Sequence, residues 1–284
     1  MQHVIAPVVD ADFLVASLQA ARPVVVADVR SYLDGRDGHA AYTTAHLPNA
    51  LWVALDHDLS GHDQPATEGR HPLPAPGEFA AAMGALGIGD DTIVVAYDDT
   101  GGLTAGRLVV MLRMLGRDAA LLNGGLNAWI ADGREIETGS GRVPTAAVFT
   151  ASAWPAERLA SAEETAAHAA AGGAVLDARP ADRFTGAVTM IDPRPGHVPG
   201  ARNAPWSAVL GTDGRFLPTA ELLAHYQRMD ATTDPAPIAY CGSGVSACMN
   251  LLAMEHVGLT PPRLYVASFS GWSADPQHEV QLGE

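Results

Sequence analysis

One loop of the sequence contains a cysteine in a setting typical of a nucleophile. An apolar run ends at Tyr240, Cys241 follows, and the next residues, Gly242 to Ala247, are glycines, serines and small apolar residues. The run predicts a buried parallel strand, and Val245 to Val257 predict a helix. Backbone N–H groups at such a turn have no partner inside the helix and favour negative charge. We therefore expect Cys241 to be largely a thiolate that attacks substrates.

Three other interpretations of this loop remain open. Cysteine is among the most buried residue types, so Cys241 could be a small core residue. Glycine-rich loops also bind phosphate, but this one lacks the Lys-Ser/Thr ending of a Walker loop and the spacing of a dinucleotide fingerprint. A cysteine-dependent phosphatase needs an arginine to close its loop, where this chain has Ala247. The order of strand, cysteine, glycine turn and helix favours the reactive thiol.

Length and charge narrow the class of protein. The chain has 284 residues, which suits two domains, and 48% hydrophobic residues are enough for packed cores. Its 17 basic and 32 acidic residues give a formal net charge of −15. This balance disfavours nucleic acid or an anionic membrane as a partner, because both require a basic surface. An anionic substrate must therefore be held by arginines placed close to it.

Only two cysteines, Cys241 and Cys248, are present, and they lie too close in the sequence to predict a structural disulfide. The sequence contains no Cys-x-x-Cys pair, the spacing that would predict a metal site. The first 21 residues contain no Lys or Arg, and the chain has no apolar stretch of about 18 residues, so we expect neither a signal peptide nor a membrane span. These features predict a cytoplasmic protein.

Helices and strands alternate along the chain. The pattern predicts helices at 10–21, 77–86 and 104–115, and strands at 24–28, 92–97 and 119–122, with a further apolar run at 51–55. A polar loop with several histidines covers 56–74. Alternation of this kind is typical of an α/β fold in which helices flank a parallel β-sheet.

The two halves of the chain repeat one another. The repeated strings keep their order at offsets of 143 to 151 residues, and they are Asp28-Val29-Arg30 with Asp177-Ala178-Arg179, His46-Leu47-Pro48 with His197-Val198-Pro199, Tyr97-Asp98 with Tyr240-Cys241, and Trp129 with Trp272. Such a repeat indicates a duplicated domain. We predict an N-terminal domain at 1–138, a linker at 139–156 and a C-terminal domain at 157–284. The N-terminal domain has Asp98 in place of the cysteine, and we expect it to be non-catalytic.

On these repeated strings and the loop opened by Cys241, the sequence resembles the two-domain rhodanese-type sulfurtransferases over its whole length. The loop Cys-Gly-Ser-Gly-Val-Ser is similar to the 3-mercaptopyruvate branch of that family. The resemblance implies two tandem rhodanese-like domains and a cysteine that takes sulfur from a small anionic donor as a persulfide. It further implies a thiol acceptor, thioredoxin-like or small, or cyanide, and no metal or organic cofactor.

The resemblance also implies a relay that removes a proton from the donor's thiol. Ser243 matches the serine, His71 the histidine and Asp56 the aspartate of that relay. A hydroxyl polarised by a histidine, itself held by a carboxylate, is suited to this task. His57 and His62 share the polar loop with His71, and Asp58 is a near competitor of Asp56.

Two arginines are expected to bind the donor's carboxylate and keto oxygen. By resemblance these are Arg183 and Arg194, and a surface ion pair with the neighbouring Asp182 or Asp192 is the alternative for each. The loop backbone is expected to bind the persulfide, through the residues Gly242, Gly244, Val245, Ser246 and Ala247.

Two other functions remain as alternatives to the 3-mercaptopyruvate reaction. Thiosulfate:cyanide sulfurtransferases of the same family carry basic residues after the cysteine, where this chain has Gly242 and Ser243. A non-catalytic sulfur carrier or interaction module is the second alternative, and the intact cysteine, arginines and relay argue against it.

Overall fold

The computed structural model describes residues 5–189, 191–232 and 234–283, which form two compact units. Unit 1 contains the chain up to Ser60, Pro74–Trp154 and Gly211–Phe216. Unit 2 contains Gly61–Leu73, Pro155–Leu210 and the chain from Leu217 onward. The sequence predicts continuous domains at 1–138 and 157–284, whereas each unit of the structure includes a short segment from the other half of the chain.

Unit 1 is built on a five-stranded parallel sheet with the order β1-β5-β4-β2-β3. Its strands are β1 Val8–Val9, β2 Val24–Asp28, β3 Ala50–Trp52, β4 Ile93–Tyr97 and β5 Ala119–Leu122. Its helices are α1 Ala11–Leu18, α2 Gly38–Thr44, α3 Leu55–Asp58, α4 Pro76–Ala85, α5 Ala105–Met114 and α6 Gly125–Ala131. Every residue of β4 is buried, as expected for a central strand with both faces covered.

Unit 2 repeats this plan with a four-stranded parallel sheet in the order β7-β6-β8-β9. Its strands are β6 Val175–Asp177, β7 Arg202–Asn203, β8 Ile238–Tyr240 and β9 Arg263–Leu264. Its helices are α7 Ala162–Ala170, α8 Ala181–Phe184, α9 Thr219–Arg228, α10 Cys248–His256 and α11 Ser268–Ala274. The predicted α/β class with two parallel sheets is confirmed.

The helix after the cysteine begins later than the sequence predicts. We expected it to start at Val245, but α10 starts at Cys248. Gly244 has a φ of 75°, in the left-handed region that glycine tolerates, and the chain is still in a turn up to Ala247. The longer loop leaves its backbone N–H groups outside the helix.

A buried aspartate–arginine pair braces each sheet at the same place. Asp177 ends β6 and accepts hydrogen bonds from the backbone N–H and the Nε of Arg179, at 2.9 and 3.0 Å. The Arg179 guanidinium also donates to the carbonyl of Gly196, at 2.7 Å. Asp28 and Arg30 form the same arrangement in unit 1. Each pair ties a strand end to the loop that follows it, which explains the repeated Asp-x-Arg string.

Burial makes this brace sensitive to the loss of either partner. Arg179 is 2% exposed and Asp177 is fully buried. Burial alone would lower the pKa of Arg179, but the charge and hydrogen bonds of Asp177 outweigh it and raise that pKa. Removing one partner would therefore leave an uncompensated charge in the interior.

Among the described residues, no helix is both long enough and apolar enough to cross a membrane.

We expect Asp177→Ala to lower the free energy of unfolding by about 3–5 kcal/mol, because the Arg179 guanidinium would lose its buried counter-ion. Chemical denaturation measures this loss. The control is Asp34→Ala, since Asp34 and Arg36 form the same Asp-x-Arg turn at an exposed site. That variant should unfold at the wild-type midpoint. Equal shifts in the two variants would contradict the role given to burial.

Candidate active site

The backbone around Cys241 is fixed by the first turn of α11. The Cys241 N–H donates to Ser268 Oγ at 3.1 Å, and the Cys241 carbonyl accepts from the Phe269 N–H at 2.9 Å. The Gly242 carbonyl accepts from the Ser270 N–H at 2.9 Å. Cys241 itself follows β8 directly and is 2% exposed. The predicted nucleophile therefore lies at the carboxyl end of a central strand, where α/β proteins place their sites.

The equivalent loop of unit 1 shows what this backbone binds. Asp98 follows β4 as Cys241 follows β8, and the next helix begins at the seventh residue in both cases. The Asp98 carboxylate accepts hydrogen bonds from four backbone N–H groups at 2.8 to 3.0 Å, those of Thr100, Gly102, Thr104 and Ala105. Gly101 and Gly244 occupy matching positions and both have a φ of 75°. In unit 1 the loop is thus an anion site filled by its own side chain.

Ser243 and His71 are in hydrogen-bonding contact. The Ser243 Oγ lies 2.7 Å from His71 Nδ1, and Ser243 is 8% exposed. A neutral imidazole can accept the serine proton at Nδ1, which makes the hydroxyl a better base toward a donor in the loop. Of the three histidines considered from the sequence, His71 is the one that the structure describes beside this serine.

Close backbone packing on α11 positions His71. A Cβ built on Gly271 would lie 2.4 Å from the Thr67 carbonyl oxygen, and a Cβ on Gly69 would lie 2.4 Å from the Ala267 carbonyl oxygen. The Arg70 N–H donates to Ser270 Oγ at 3.1 Å. Only glycine permits these approaches. The Ser-Gly-Trp string at 270–272 thus holds the segment that contains His71.

Two guanidinium groups lie beside the cysteine loop. A Cβ built on Gly242 would lie 2.9 Å from an Nη2 of Arg183 and 2.9 Å from the Nη2 of Arg70. Asp192 bridges the two arginines: it accepts from Arg70 Nη1 at 2.8 Å and from Arg183 Nη2. Burial would raise the pKa of Asp192, but the hydrogen bonds and charges of Arg183 and Arg70 outweigh it and lower that pKa.

Arg183 lies where the sequence predicts a substrate arginine, but Arg194 has other partners. The Arg194 guanidinium donates to four backbone carbonyls, those of Trp272, Ser273, Asp275 and His278, at 2.7 to 3.2 Å. Three of these carbonyls are in or next to the last turn of α11, where a positive charge is stabilising. These bonds tie Arg194 to the end of α11, and its part in binding a substrate stays a prediction.

The remaining predicted residues are distributed as follows. Asp56 is exposed in the first turn of α3, within unit 1, and its part in the relay stays a prediction. Asp58 accepts from the Ala54 N–H at 2.8 Å and contacts His57 at 2.8 Å, so its carboxylate serves the start of α3. The loop residues Val245, Ser246 and Ala247 lie between Gly244 and α10.

Sequence reasoning missed Arg70 and the part played by Asp192. Arg70 directly precedes His71 in the sequence, which was the one available signal.

Across the described ranges 5–189, 191–232 and 234–283, no group of three or more His, Cys, Asp or Glu residues is arranged to hold a metal ion.

A cysteine at the end of a central parallel strand, a loop that matches the carboxylate-binding loop of unit 1, and an adjacent hydroxyl–imidazole pair form an arrangement typical of α/β enzymes that use a thiol nucleophile. The rhodanese-like domain matches this chain twice, at residues 11–132 and 161–275, and the chain belongs to the rhodanese family.

Two proteins similar in sequence to this chain are named as sulfurtransferases, and a similar crystal structure is named as a sulfotransferase. A Pseudomonas aeruginosa protein named probable 3-mercaptopyruvate sulfurtransferase is 40% identical over 96% of this chain and 99% of its own length. A Mycobacterium tuberculosis protein named putative thiosulfate sulfurtransferase SseB is 39% identical over 95% of each chain. The crystal structure of the Escherichia coli 3-mercaptopyruvate sulfotransferase SseA is similar at a TM-score of 0.81 and 31% identity, over 93% of this chain and 99% of that one.

We expect Gly271→Ala to displace the segment at 61–73, because the added methyl group would collide with the Thr67 carbonyl oxygen. Hydrogen exchange measures this displacement, and the Arg70 amide should exchange about tenfold faster as its bond to Ser270 is lost. The control is Gly77→Ala in α4, where a Cβ would meet no atom within 4 Å. Unchanged exchange at Arg70 in Gly271→Ala would contradict this account of how His71 is positioned.

Proposed function

We propose that this protein transfers sulfur from 3-mercaptopyruvate to a thiol or to cyanide through a persulfide on Cys241, and releases pyruvate. The observation that carries the proposal is the contact of 2.7 Å between Ser243 Oγ and His71 Nδ1. Ser243 lies two residues after Cys241 in the sequence. A donor that brings its own thiol requires a base to remove the thiol proton, and this pair supplies one.

In the first half-reaction the Cys241 thiolate attacks the sulfur of 3-mercaptopyruvate. A sulfur–sulfur bond forms, the carbon–sulfur bond breaks, and its electron pair leaves with the carbon as the enolate of pyruvate. Ser243 takes the thiol proton with help from His71, and a proton then adds to the enolate carbon to give pyruvate. The resemblance assigns Asp56 to orient His71 in this relay.

Arg183 and Arg70 are proposed to bind the carboxylate of the donor. Both reach Gly242, the residue after the nucleophile, so a carboxylate bound there would place the donor's sulfur near Cys241. The planar guanidinium group keeps its charge and offers paired N–H donors to a carboxylate. The keto oxygen gains negative charge as the enolate forms, and the same positive charge would stabilise it.

The anionic persulfide is proposed to be held by the backbone of residues 242–247. The four N–H groups around Asp98 in the matching loop of unit 1 support this, because that loop already binds a negative group attached to the equivalent residue. Three of these groups, those of Thr100, Gly102 and Thr104, match Ser243, Val245 and Ala247. The fourth matches Cys248, whose N–H donates to the Val245 carbonyl at 3.1 Å.

In the second half-reaction an acceptor attacks the outer sulfur of the persulfide and regenerates the Cys241 thiolate. A small thiol, a thioredoxin-like thiol or cyanide can perform this attack. Neither half-reaction needs a metal or an organic cofactor. In the first, the donor's carbon accepts the electron pair as Cys241 becomes a persulfide, and in the second the attacking acceptor supplies the pair that restores the thiolate. A reducing compartment such as the cytoplasm suits this chemistry.

Thiosulfate is the second candidate donor. The pair of arginines beside Gly242 could bind a sulfonate as well as a carboxylate, and the Mycobacterium tuberculosis relative carries that name. Thiosulfate has no thiol proton, so its sulfur can be transferred without the Ser243–His71 pair.

3-Mercaptopyruvate has a thiol proton to lose and thiosulfate has none, and this difference allows the proposed donor and relay to be tested. We expect Ser243→Ala to lower kcat/KM for 3-mercaptopyruvate by about 10²–10³-fold and to change kcat/KM for thiosulfate by less than about threefold. Steady-state kinetics with each donor and cyanide as acceptor measure both values. Cys241→Ser should abolish transfer from both donors, and the exposed Ser207→Ala in the same unit is the control. A wild-type enzyme that prefers thiosulfate, with no effect of Ser243→Ala, would overturn the donor and the relay.

A further inference from the structure

We propose that Asp192 sets which donor the enzyme prefers, by lowering the positive charge of the arginine pair beside Cys241 to a value that suits a monoanion. This inference rests on the proposed function, since it concerns the donor bound at that same place. It assigns to Asp192 a specificity-determining role that does not require contact with the reacting atoms.

The geometry places one carboxylate between two guanidinium groups. Asp192 is 8% exposed and accepts from both Arg70 and Arg183. Arg179 approaches it at 3.5 Å, but its charge is already balanced by Asp177. The group formed by Arg70, Arg183 and Asp192, which we call the anion seat, therefore has one net positive charge. Without the carboxylate it would have two.

The anion seat retains donors for a ligand. Arg183 is 9% exposed, and its Nε is buried and has no hydrogen-bond partner among the residues that the structure describes. A buried N–H without an acceptor is costly, so it points to an acceptor that the protein itself does not provide. The Nη2 of Arg183 and that of Arg70 lie next to Gly242. A bound anion would thus occupy the side of the arginines nearest the cysteine, while Asp192 keeps its hydrogen bonds to Arg70 and Arg183.

The charge of the seat acts differently on the two candidate donors. 3-Mercaptopyruvate carries one negative charge on its carboxylate, whereas thiosulfate carries two. Asp192 repels each charge of a bound donor, so it penalises the dianion about twice as strongly as the monoanion. The Asp192 carboxylate holds the two arginines in place and also lowers their net positive charge. The preference for a monoanion follows from that second effect.

The experiment is the donor ratio, kcat/KM for thiosulfate divided by kcat/KM for 3-mercaptopyruvate, in Asp192→Asn. The substitution keeps the shape of the side chain and removes its charge, and we expect the ratio to rise about tenfold. Asp132→Asn is the control, because Asp132 also pairs with an arginine, Arg215 at 2.8 Å, within unit 1. It removes the same charge from the chain and should leave the ratio unchanged.

A second measurement does not depend on turnover. Cys241 is alkylated by iodoacetate, an anion, and by iodoacetamide, which is neutral, and in each case the sulfur–carbon bond forms as iodide leaves. Mass spectrometry of the Cys241 peptide gives both rates. Asp192→Asn should raise the rate with iodoacetate relative to iodoacetamide by about tenfold, because the seat gains one positive charge.

Arg70→Met tests the proposal in the opposite direction, and also serves if Asp192→Asn does not fold. The Arg70 side chain is 29% exposed, and Asp192 would still pair with Arg183 after Arg70 is replaced. Both the donor ratio and the iodoacetate preference should fall in this variant. Opposite shifts in the two variants would support the charge-setting role.

The outcomes separate this inference from the proposed function. If Asp192→Asn slows both donors and both alkylating reagents equally, Asp192 only holds the arginines in place and the inference is overturned. If wild type does not use 3-mercaptopyruvate but the alkylation rates shift as expected, the proposed donor fails while the charge-setting role of Asp192 stands.

Discussion

The candidate site depends on how closely two stretches of backbone approach each other at α11. Gly69 and Gly271 each lie where a methyl group would collide with a carbonyl oxygen of the other stretch. This contact, together with the bond from the Arg70 N–H to Ser270, seats the segment that contains His71. The first turn of the same helix also binds the backbone of Cys241. One short helix thus positions Cys241 and the segment that contains His71 relative to each other, and it does so largely through main-chain atoms, which have little freedom to adjust.

The charged residues of unit 2 support this helix as well as the proposed chemistry. Arg194 binds the carbonyls at the end of α11, and the guanidinium of Arg179 packs 3.9 Å from the centre of the Phe269 ring on the same helix. Arg183 and Arg70 instead lie at the loop, with Asp192 between them. Arginines that look alike in the sequence therefore divide into those that hold the platform and those that face the nucleophile. The Nε of Arg183 has no hydrogen-bond partner among the described residues, whereas the guanidinium of Arg194 donates to four backbone carbonyls.

Features that reside in short strings could be predicted from the sequence, and features created by distant pairing could not. The α/β class, the repeat and Cys241 all follow from local patterns of apolar residues, glycines and aspartates. Ser243 and His71 came from resemblance, and their contact depends on a segment 172 residues away in the chain. Arg194 sits in the expected string, but its partners are carbonyls brought close only by folding. Arg70 and Asp192 are 122 residues apart, so nothing in either neighbourhood signals the pair.

The exchange of segments between the two units has a consequence for how such a protein can be divided. The C-terminal half of the chain contains Cys241, Ser243 and Arg183, but Arg70 and His71 lie in Gly61–Leu73, which the N-terminal half encodes and unit 2 contains. Cleavage in the linker region would therefore leave Arg70 and His71 on a different fragment from Cys241, and would not release unit 2 as one continuous chain. The first repeat, which has Asp98 in place of the cysteine, therefore supplies a segment that unit 2 contains. A truncation that keeps one repeat of the sequence would remove residues from the unit that the other repeat builds, and would leave the kept unit without its exchanged segment.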